Sequence, residues 1–114
     1  MIDATATIEE NVILRQKIEI GHHAIIKCGA IVGTGVQIGP KCYIGPGAIL
    51  LHMDPNGKST PAILMEDVFI GAGAIILPGV VLESGVIIGA GAVVTKGKYT
   101  KGTYVGNPAK RLKK

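Results

Sequence analysis

Aliphatic residues recur at every sixth position of this 114-residue chain. The first run is Ile2, Ile8, Leu14, Ile20, Ile26, Val32, Ile38, Ile44 and Leu50; the rhythm breaks at 51–63 and resumes at Leu64, Ile70, Ile76, Leu82, Ile88 and Val94. A period of six matches neither the 3.6 of a helix nor the 2 of an amphipathic strand. It fits a unit of one short strand and one corner, and a sustained internal repeat of such units predicts a solenoid.

The other hexad positions define the corner. The fifth is short or small, as in Ala24, Ala30, Val36, Cys42, Ala48, Ala74 and Ala92. The second is often glycine (Gly21, Gly39, Gly71, Gly89), and the fourth is mostly glycine in the later hexads (Gly47, Gly73, Gly79, Gly91). Pro46-Gly47 and Pro78-Gly79 read as the central residues of type II turns, where Pro fixes φ and Gly supplies the positive φ that follows. Three hexads close one coil of 18 residues, and stacked coils pair as parallel strands about 4.8 Å apart. The prediction is an all-β, single-stranded parallel β-helix of about five triangular coils. Residues 1–114 form a single domain, with coils over 2–55 and 64–99, a loop excursion at 51–63 and a short non-repetitive C-terminal tail over 100–114.

Composition supports this. Apolar residues are 47% of the chain but aromatics only 4%, and Trp is absent, so the core must be aliphatic. The 17 glycines are about twice the usual share. No apolar run approaches the roughly 18 residues of a membrane span, and Met1-Ile2-Asp3-Ala4 lacks the layout of a secretion signal. Cys28 and Cys42 have no metal-ligand spacing; two thiols without a secretion signal fit a reducing, cytoplasmic setting. The net charge of +4 allows an acidic partner. Scattered basic residues and few stacking aromatics argue against nucleic acid.

The sixth position of each hexad points outward. If the chain re-enters at Leu64 in phase with Ile20 and Ile38, one outward column reads Ile13, Ile31, Ile49, Ile75 and Val93, whereas another reads Glu19, Gln37, Val81 and Tyr99. A continuous outward aliphatic stripe implies a partner surface. One such face per prism suits a closed threefold ring, a homotrimer.

Runs such as Ile44-Gly-Pro-Gly-Ala-Ile49 and Ile70-Gly-Ala-Gly-Ala-Ile75 resemble the hexapeptide repeat of the left-handed β-helix acyltransferases. The resemblance supplies the left hand, against the right-handed rule for ordinary crossovers, and it adds weight to the trimer. Gly89-Ala-Gly-Ala-Val-Val-Thr-Lys96 and Val105-Gly-Asn-Pro-Ala-Lys-Arg-Leu-Lys113 resemble the C-terminal signature of the CoA-dependent members. Residues 6–21, and the stretch from Ile44 through the Pro55–Pro61 loop to Val68, are similar to the tetrahydrodipicolinate N-acetyltransferase family. This sequence departs from that family in lacking an N-terminal domain and one coil, which would sit between about Val32 and Ile38.

The resemblance implies transfer of an acyl group, most simply acetyl from acetyl-CoA, to an amine or hydroxyl of a small metabolite. Such chemistry needs a base for the acceptor proton and donors for the tetrahedral oxyanion. Histidine suits the base because it titrates near neutrality, and family members place it beside a loop excursion, in a cleft between subunits. His52 opens the excursion and is the candidate base; His23, at a hexad corner next to His22, is the alternative. Asp54, Glu66 and Asp67 are candidate acceptor contacts. Gly71, Ala72, Gly89 and Ala90 would let a pantetheine arm approach the backbone, with Thr95, Lys96, Lys110 and Arg111, and the tail residues Lys113 and Lys114, toward the phosphates. Cys42 reads as core and Cys28 as a turn residue.

Two other functions compete. A γ-type carbonic anhydrase would need three zinc-binding histidines converging between subunits, and His22, His23 and His52 do not have that family's spacing; no metal is expected. A non-catalytic trimeric scaffold, a degenerate acyltransferase, is the second alternative.

Overall fold

The computed structural model describes residues 1–112. It is a parallel β-solenoid with three sheets, the architecture of a left-handed β-helix of hexapeptide repeats. Each sheet is one wall of a triangular prism and takes every third strand.

The aliphatic wall holds β2 (Ile13–Leu14), β5 (Ile31–Val32), β8 (Ile49–Leu50), β11 (Ile75–Ile76) and β14 (Val93–Val94). The polar wall holds β3 (Glu19–Ile20), β6 (Gln37–Ile38), β9 (Ile63–Leu64), β12 (Val80–Leu82) and β15 (Gly97–Tyr99). The aromatic wall holds β1 (Thr7–Ile8), β4 (Ile25–Ile26), β7 (Tyr43–Ile44), β10 (Phe69–Ile70), β13 (Ile87–Ile88), β16 (Thr103–Val105) and β17 (Lys110–Arg111). All pairings are parallel except β16 with β17, which folds back antiparallel.

The hexad explains these elements. Its first position points in: Ile26, Val32, Ile44, Leu50, Ile70, Ile76, Leu82, Ile88 and Val94 are fully buried. Its fifth position fills the corners, where Ala24, Ala30, Ala48, Ala74 and Ala92 are equally buried. Ile2 and Ile8, in the first coil, share this inward register but are exposed. The fourth position turns left-handed, with φ of 70° at Gly47 and 81° at Gly79. The second position is glycine for a different reason: a β-carbon on Gly71 would lie 2.5 Å from the Ala90 nitrogen of the next coil.

The chain re-enters at Leu64 on the polar wall, where Ile63 and Leu64 pair with Gln37 and Ile38. The aliphatic column is continuous in register, Ile13 to Ile31 to Ile49 to Ile75 to Val93.

Two expectations are corrected, the end of the polar column and the single outward apolar face. The polar column ends in Lys98, not Tyr99, because Val81 pairs with Lys98 and Leu82 with Tyr99. The last full coil is one residue short, so Tyr99 takes an inward register place. The non-repetitive tail packs onto the solenoid over its described residues: β16 adds a strand to the aromatic wall, and Tyr104 is buried and packs edge-on against Tyr99 at 5.1 Å between ring centroids. These rings close the end of the core while Tyr99 Oη donates to the Thr95 carbonyl and Tyr104 Oη to the Thr100 carbonyl. A second outward apolar column also exists, Ile25, Tyr43, Phe69 and Ile87, with the Tyr43 and Phe69 rings stacked at 4.7 Å and 4°.

No helix of the described residues is long and apolar enough to cross a membrane.

Candidate functional site

The three edges of the prism carry different chemistry. Corners of successive coils stack along each edge, so residues about 18 apart become neighbours.

The edge between the aliphatic and polar walls carries the excursion. His52, half-buried, leaves β8 here. A β-carbon on Gly33 in the coil below would lie 2.9 Å from His52 Nδ1, so glycine there gives the imidazole its place. The loop is a small self-braced hairpin: Asp54 Oδ1 accepts hydrogen bonds from the amides of Asn56 and Lys58, both at 2.9 Å, and Met53 bridges Ser59 antiparallel. That oxygen of Asp54 therefore shapes the loop. The Thr60 amide donates to the His52 carbonyl, and the Thr60 carbonyl accepts from the Gly79 amide at 2.8 Å. Pro61 covers Gly35. In the next coil Lys96 lays its stem over Gly79. Thr95 and Lys96 thus share an edge with His52, two coils further along, and both are exposed.

The edge between the aromatic and aliphatic walls is a bare ridge. Ala72 and Ala90 are exposed, and a β-carbon added at Gly47, Gly73 or Gly91 would meet nothing within 4 Å. Gly71 and Gly89 lie deeper: the space beside Gly71 is taken by Ala90 and that beside Gly89 by Val105. Their glycine identity serves coil stacking, and the open surface belongs to Ala72, Gly73, Ala90 and Gly91. Gly106 and Ala109 hydrogen-bond Val93 at the end of the ridge, which sets Lys110 beside it. Arg111 turns away; its guanidinium donates to the Lys101 carbonyl at 2.9 Å and lies over the Tyr104 ring. Lys113 and Lys114 lie outside the described residues.

The same ridge begins with Glu9, Glu10 and Cys28, whose potential ligand atoms lie within 4.8 Å of one another. Glu9 is already committed, to Lys27 at 2.8 Å and to the Cys28 amide at 3.0 Å. These bonds, the Lys27 one foremost, lower its carboxyl pKa and the same pair raises that of Lys27.

The edge between the polar and aromatic walls carries His22, His23, Glu66 and Asp67. His22 and His23 are exposed and meet edge-on at 5.4 Å; His23 adopts φ of 59°, and its amide donates to Thr5 Oγ1. Glu66 and Asp67 line a shallow cleft of about 380 Å³ with Ser84, Gly85 and Lys101. Within one chain the polar wall separates this edge from His52, so Glu66 and Asp67 do not meet the candidate base. Nor do the three histidines converge. Ser84 and Lys101 carry no motif in the sequence; the one signal for them is the spacing of a coil, which sets Ser84 directly above Glu66. Cys42 is buried in the core, its thiol 2.9 Å from the Met65 carbonyl, and burial pushes its pKa up to about 11.

Comparisons with known proteins agree with the repeat architecture. The family model for the bacterial transferase hexapeptide (six repeats) matches residues 17–52 and 61–96, leaving the excursion between the matched runs. The chain is 33% identical over 126 positions to the 2,3,4,5-tetrahydropyridine-2,6-dicarboxylate N-acetyltransferase of Halalkalibacterium halodurans, covering 95% of this chain and 52% of that protein. The aligned region is longer than this chain, so the relative carries extra residues within it, as an additional coil requires. The chain spans about half the length of the curated relatives it matches along nearly its whole length. Among solved structures, a maltose O-acetyltransferase from Clostridium difficile 630 superposes with a TM-score of 0.80 at 28% identity, over 97% of this chain and 67% of that one. A hexapeptide-repeat acetyltransferase from Vibrio cholerae O1 biovar eltor, complexed with acetyl coenzyme A, shares the fold with a TM-score of 0.83 at 23% identity, over 95% of this chain and 67% of that one. With the repeat model matched on both sides of the excursion and a coil-by-coil structure to go with it, this chain belongs to the bacterial hexapeptide-repeat transferase family.

Proposed function

We propose that the protein is an acyl-CoA-dependent acyltransferase of the cytoplasm that moves acetyl from acetyl-CoA to an amine or hydroxyl of a small metabolite, and that it works as a homotrimer. The observation that carries the reading is the stacking of His52, Gly79 and Lys96 along one edge, directly beside the aliphatic wall.

The trimer turns the aliphatic walls toward a common axis. Ile31, Ile49, Ile75 and Val93 then leave water, and a closed threefold ring satisfies every such stripe. Both edges of that wall meet neighbouring chains. The His52 edge of one chain lies against the bare ridge of the next, so the cleft is lined by His52, Thr95 and Lys96 on one side and by Ala72, Gly73, Ala90 and Gly91 of the partner subunit on the other. The ridge, with no side chain larger than a methyl group at these positions, gives a pantetheine arm access to backbone amides and carbonyls. Lys96, and Lys110 at the end of the ridge, offer charge to the phosphates. Glu66 and Asp67 lie on the third edge, outside this cleft, and Asp54 acts through the shape of the loop.

In the reaction His52 accepts the proton of the acceptor amine or hydroxyl as its lone pair attacks the thioester carbonyl. The tetrahedral oxyanion is held by hydrogen-bond donors at the cleft. Collapse breaks the carbon–sulfur bond, and the CoA thiolate leaves with the proton that His52 had taken.

Titration calorimetry with acetyl-CoA tests the reading. Saturable binding at one site per chain is expected; no heat of binding at millimolar acetyl-CoA would overturn it.

A further inference from the structure

The cleft on the edge between the polar and aromatic walls lies away from His52, and its charges are unpaired. Elsewhere in this chain acids and bases on neighbouring coils find each other: Glu9 pairs with Lys27 at 2.8 Å, Glu83 with Lys98 at 3.2 Å, and Glu19 with the amino terminus at 3.0 Å. The cleft of Glu66, Asp67, Ser84, Gly85 and Lys101 holds two carboxylates and one ammonium. Among the described residues none of the three makes an ion pair.

The reason is the number of tiers. Glu66 and Asp67 belong to one coil, Ser84 and Gly85 to the next, and Lys101 to the one beyond. The Gly85 amide donates to the Glu66 carbonyl, and the Glu66 amide to Ser84 Oγ, which stacks the first two tiers. Carboxylates and ammonium therefore stand two strand spacings apart at their backbones, roughly 9–10 Å. The Lys101 stem is laid flat over Gly85, where a β-carbon would come within 3.2 Å of its Cγ and Cδ. Ser84 Oγ accepts from the Glu66 amide, so its own proton is free to donate outward.

We propose that this cleft binds a small zwitterion whose ammonium and carboxylate stand several bonds apart. Glu66 and Asp67 receive the ligand's ammonium, Lys101 and the Ser84 hydroxyl receive its carboxylate, and the open floor at Gly85 accommodates the chain between them. The site is independent of acyl transfer, because it lies on the edge opposite the aliphatic wall and contains no group of the proposed reaction.

The probes are 5-aminovalerate and its two singly charged counterparts, pentylamine and pentanoate, titrated into isotope-labelled protein without acetyl-CoA. Saturable shifts of the Glu66, Ser84, Gly85 and Lys101 amide resonances are expected with 5-aminovalerate. Its affinity should exceed that of either counterpart by about tenfold, the size of one charge-assisted hydrogen bond at an exposed site. Lys101→Met keeps the stem over Gly85 and should reduce 5-aminovalerate to the level of pentylamine; Glu66→Gln should weaken it comparably. Equal affinities for all three probes, no saturable shift, or unchanged binding in a folded Lys101→Met protein would each overturn the proposal. Because the readout is binding without acetyl-CoA, a failure of acetyl transfer would count against the His52 cleft and not against this one.

Discussion

The Nδ1 atom of His52 occupies space that a β-carbon on Gly33 would need: such a carbon would lie 2.9 Å from that nitrogen and 2.9 Å from the Leu50 carbonyl oxygen. The imidazole is thereby seated on the coil beneath it. Gly33→Ala should push the ring out of line and lower kcat for acetyl transfer by about ten- to a hundredfold, the scale expected for misplacing a reacting group by about an ångström. Acetyl-CoA affinity should be unchanged, since Thr95, Lys96 and the ridge are untouched. Steady-state kinetics with calorimetry separates the two; wild-type kcat in a folded Gly33→Ala protein would show that His52 does not act from this position.

Gly71 and Gly73 sit two residues apart but should respond oppositely to size. A β-carbon at Gly71 meets the backbone of Ala90 at 2.5 Å, whereas one at Gly73 meets open space, with only the left-handed φ of 69° to resist it. Gly71→Ala should cost about 1–3 kcal/mol by forcing two coils apart. Gly73→Asn should be nearly neutral, because asparagine tolerates that conformation. Denaturant unfolding measures both, and equal losses would contradict the stacking argument.

The two apolar walls should differ in assembly. Ile49→Glu places a charge at the axis of the proposed trimer and should give a monomer of the 11.8 kDa chain mass. Val81→Glu on the polar wall and Phe69→Glu on the aromatic wall should leave a species of three times that mass. Light scattering after size exclusion reads the result; a monomeric wild-type protein, or a trimer that survives Ile49→Glu, would refute this packing.

Cys42 gives a pH signature. Its thiol pKa is raised by burial from 9.0 to about 11, so the fold favours the neutral form. The stability it contributes is fully present below pH 9 and is lost as pH rises from about 9 to 11, by an amount on the order of 2 kcal/mol. Cys42→Ala should flatten that part of the stability profile relative to wild type. In the native state a thiol reagent should modify exposed Cys28 and spare Cys42 until the protein unfolds.

The core is legible in the sequence because burial repeats with the coil: Ile26, Ile44, Ile70 and Ile88 are inward for one geometric reason, and one periodicity displays it. The end of the solenoid is not. There Tyr99 and Tyr104 replace aliphatic residues, the phase slips by one, and a cap assembles from side chains that obey no repeat. The Tyr43–Phe69 column is hidden from hexads taken singly, because facing residues are set by three hexads plus the excursion. At the site, the break in rhythm points to His52, but the glycines at 71 and 89 carry two meanings. A missing β-carbon admits a ligand or admits the next coil, and only the stacked structure, with Ala90 and Val105 in those spaces, distinguishes them.

Acetyl transfer by His52→Ala is the most direct test of the central claim. Free thiol released from acetyl-CoA is followed with a panel of amine and hydroxyl acceptors, alongside light scattering of the same sample. A fall in transfer of about a hundredfold or more, with trimer mass and acetyl-CoA binding retained, is the predicted result. Near-wild-type thiol release from the folded variant would contradict the assignment of His52 and move the base to another residue.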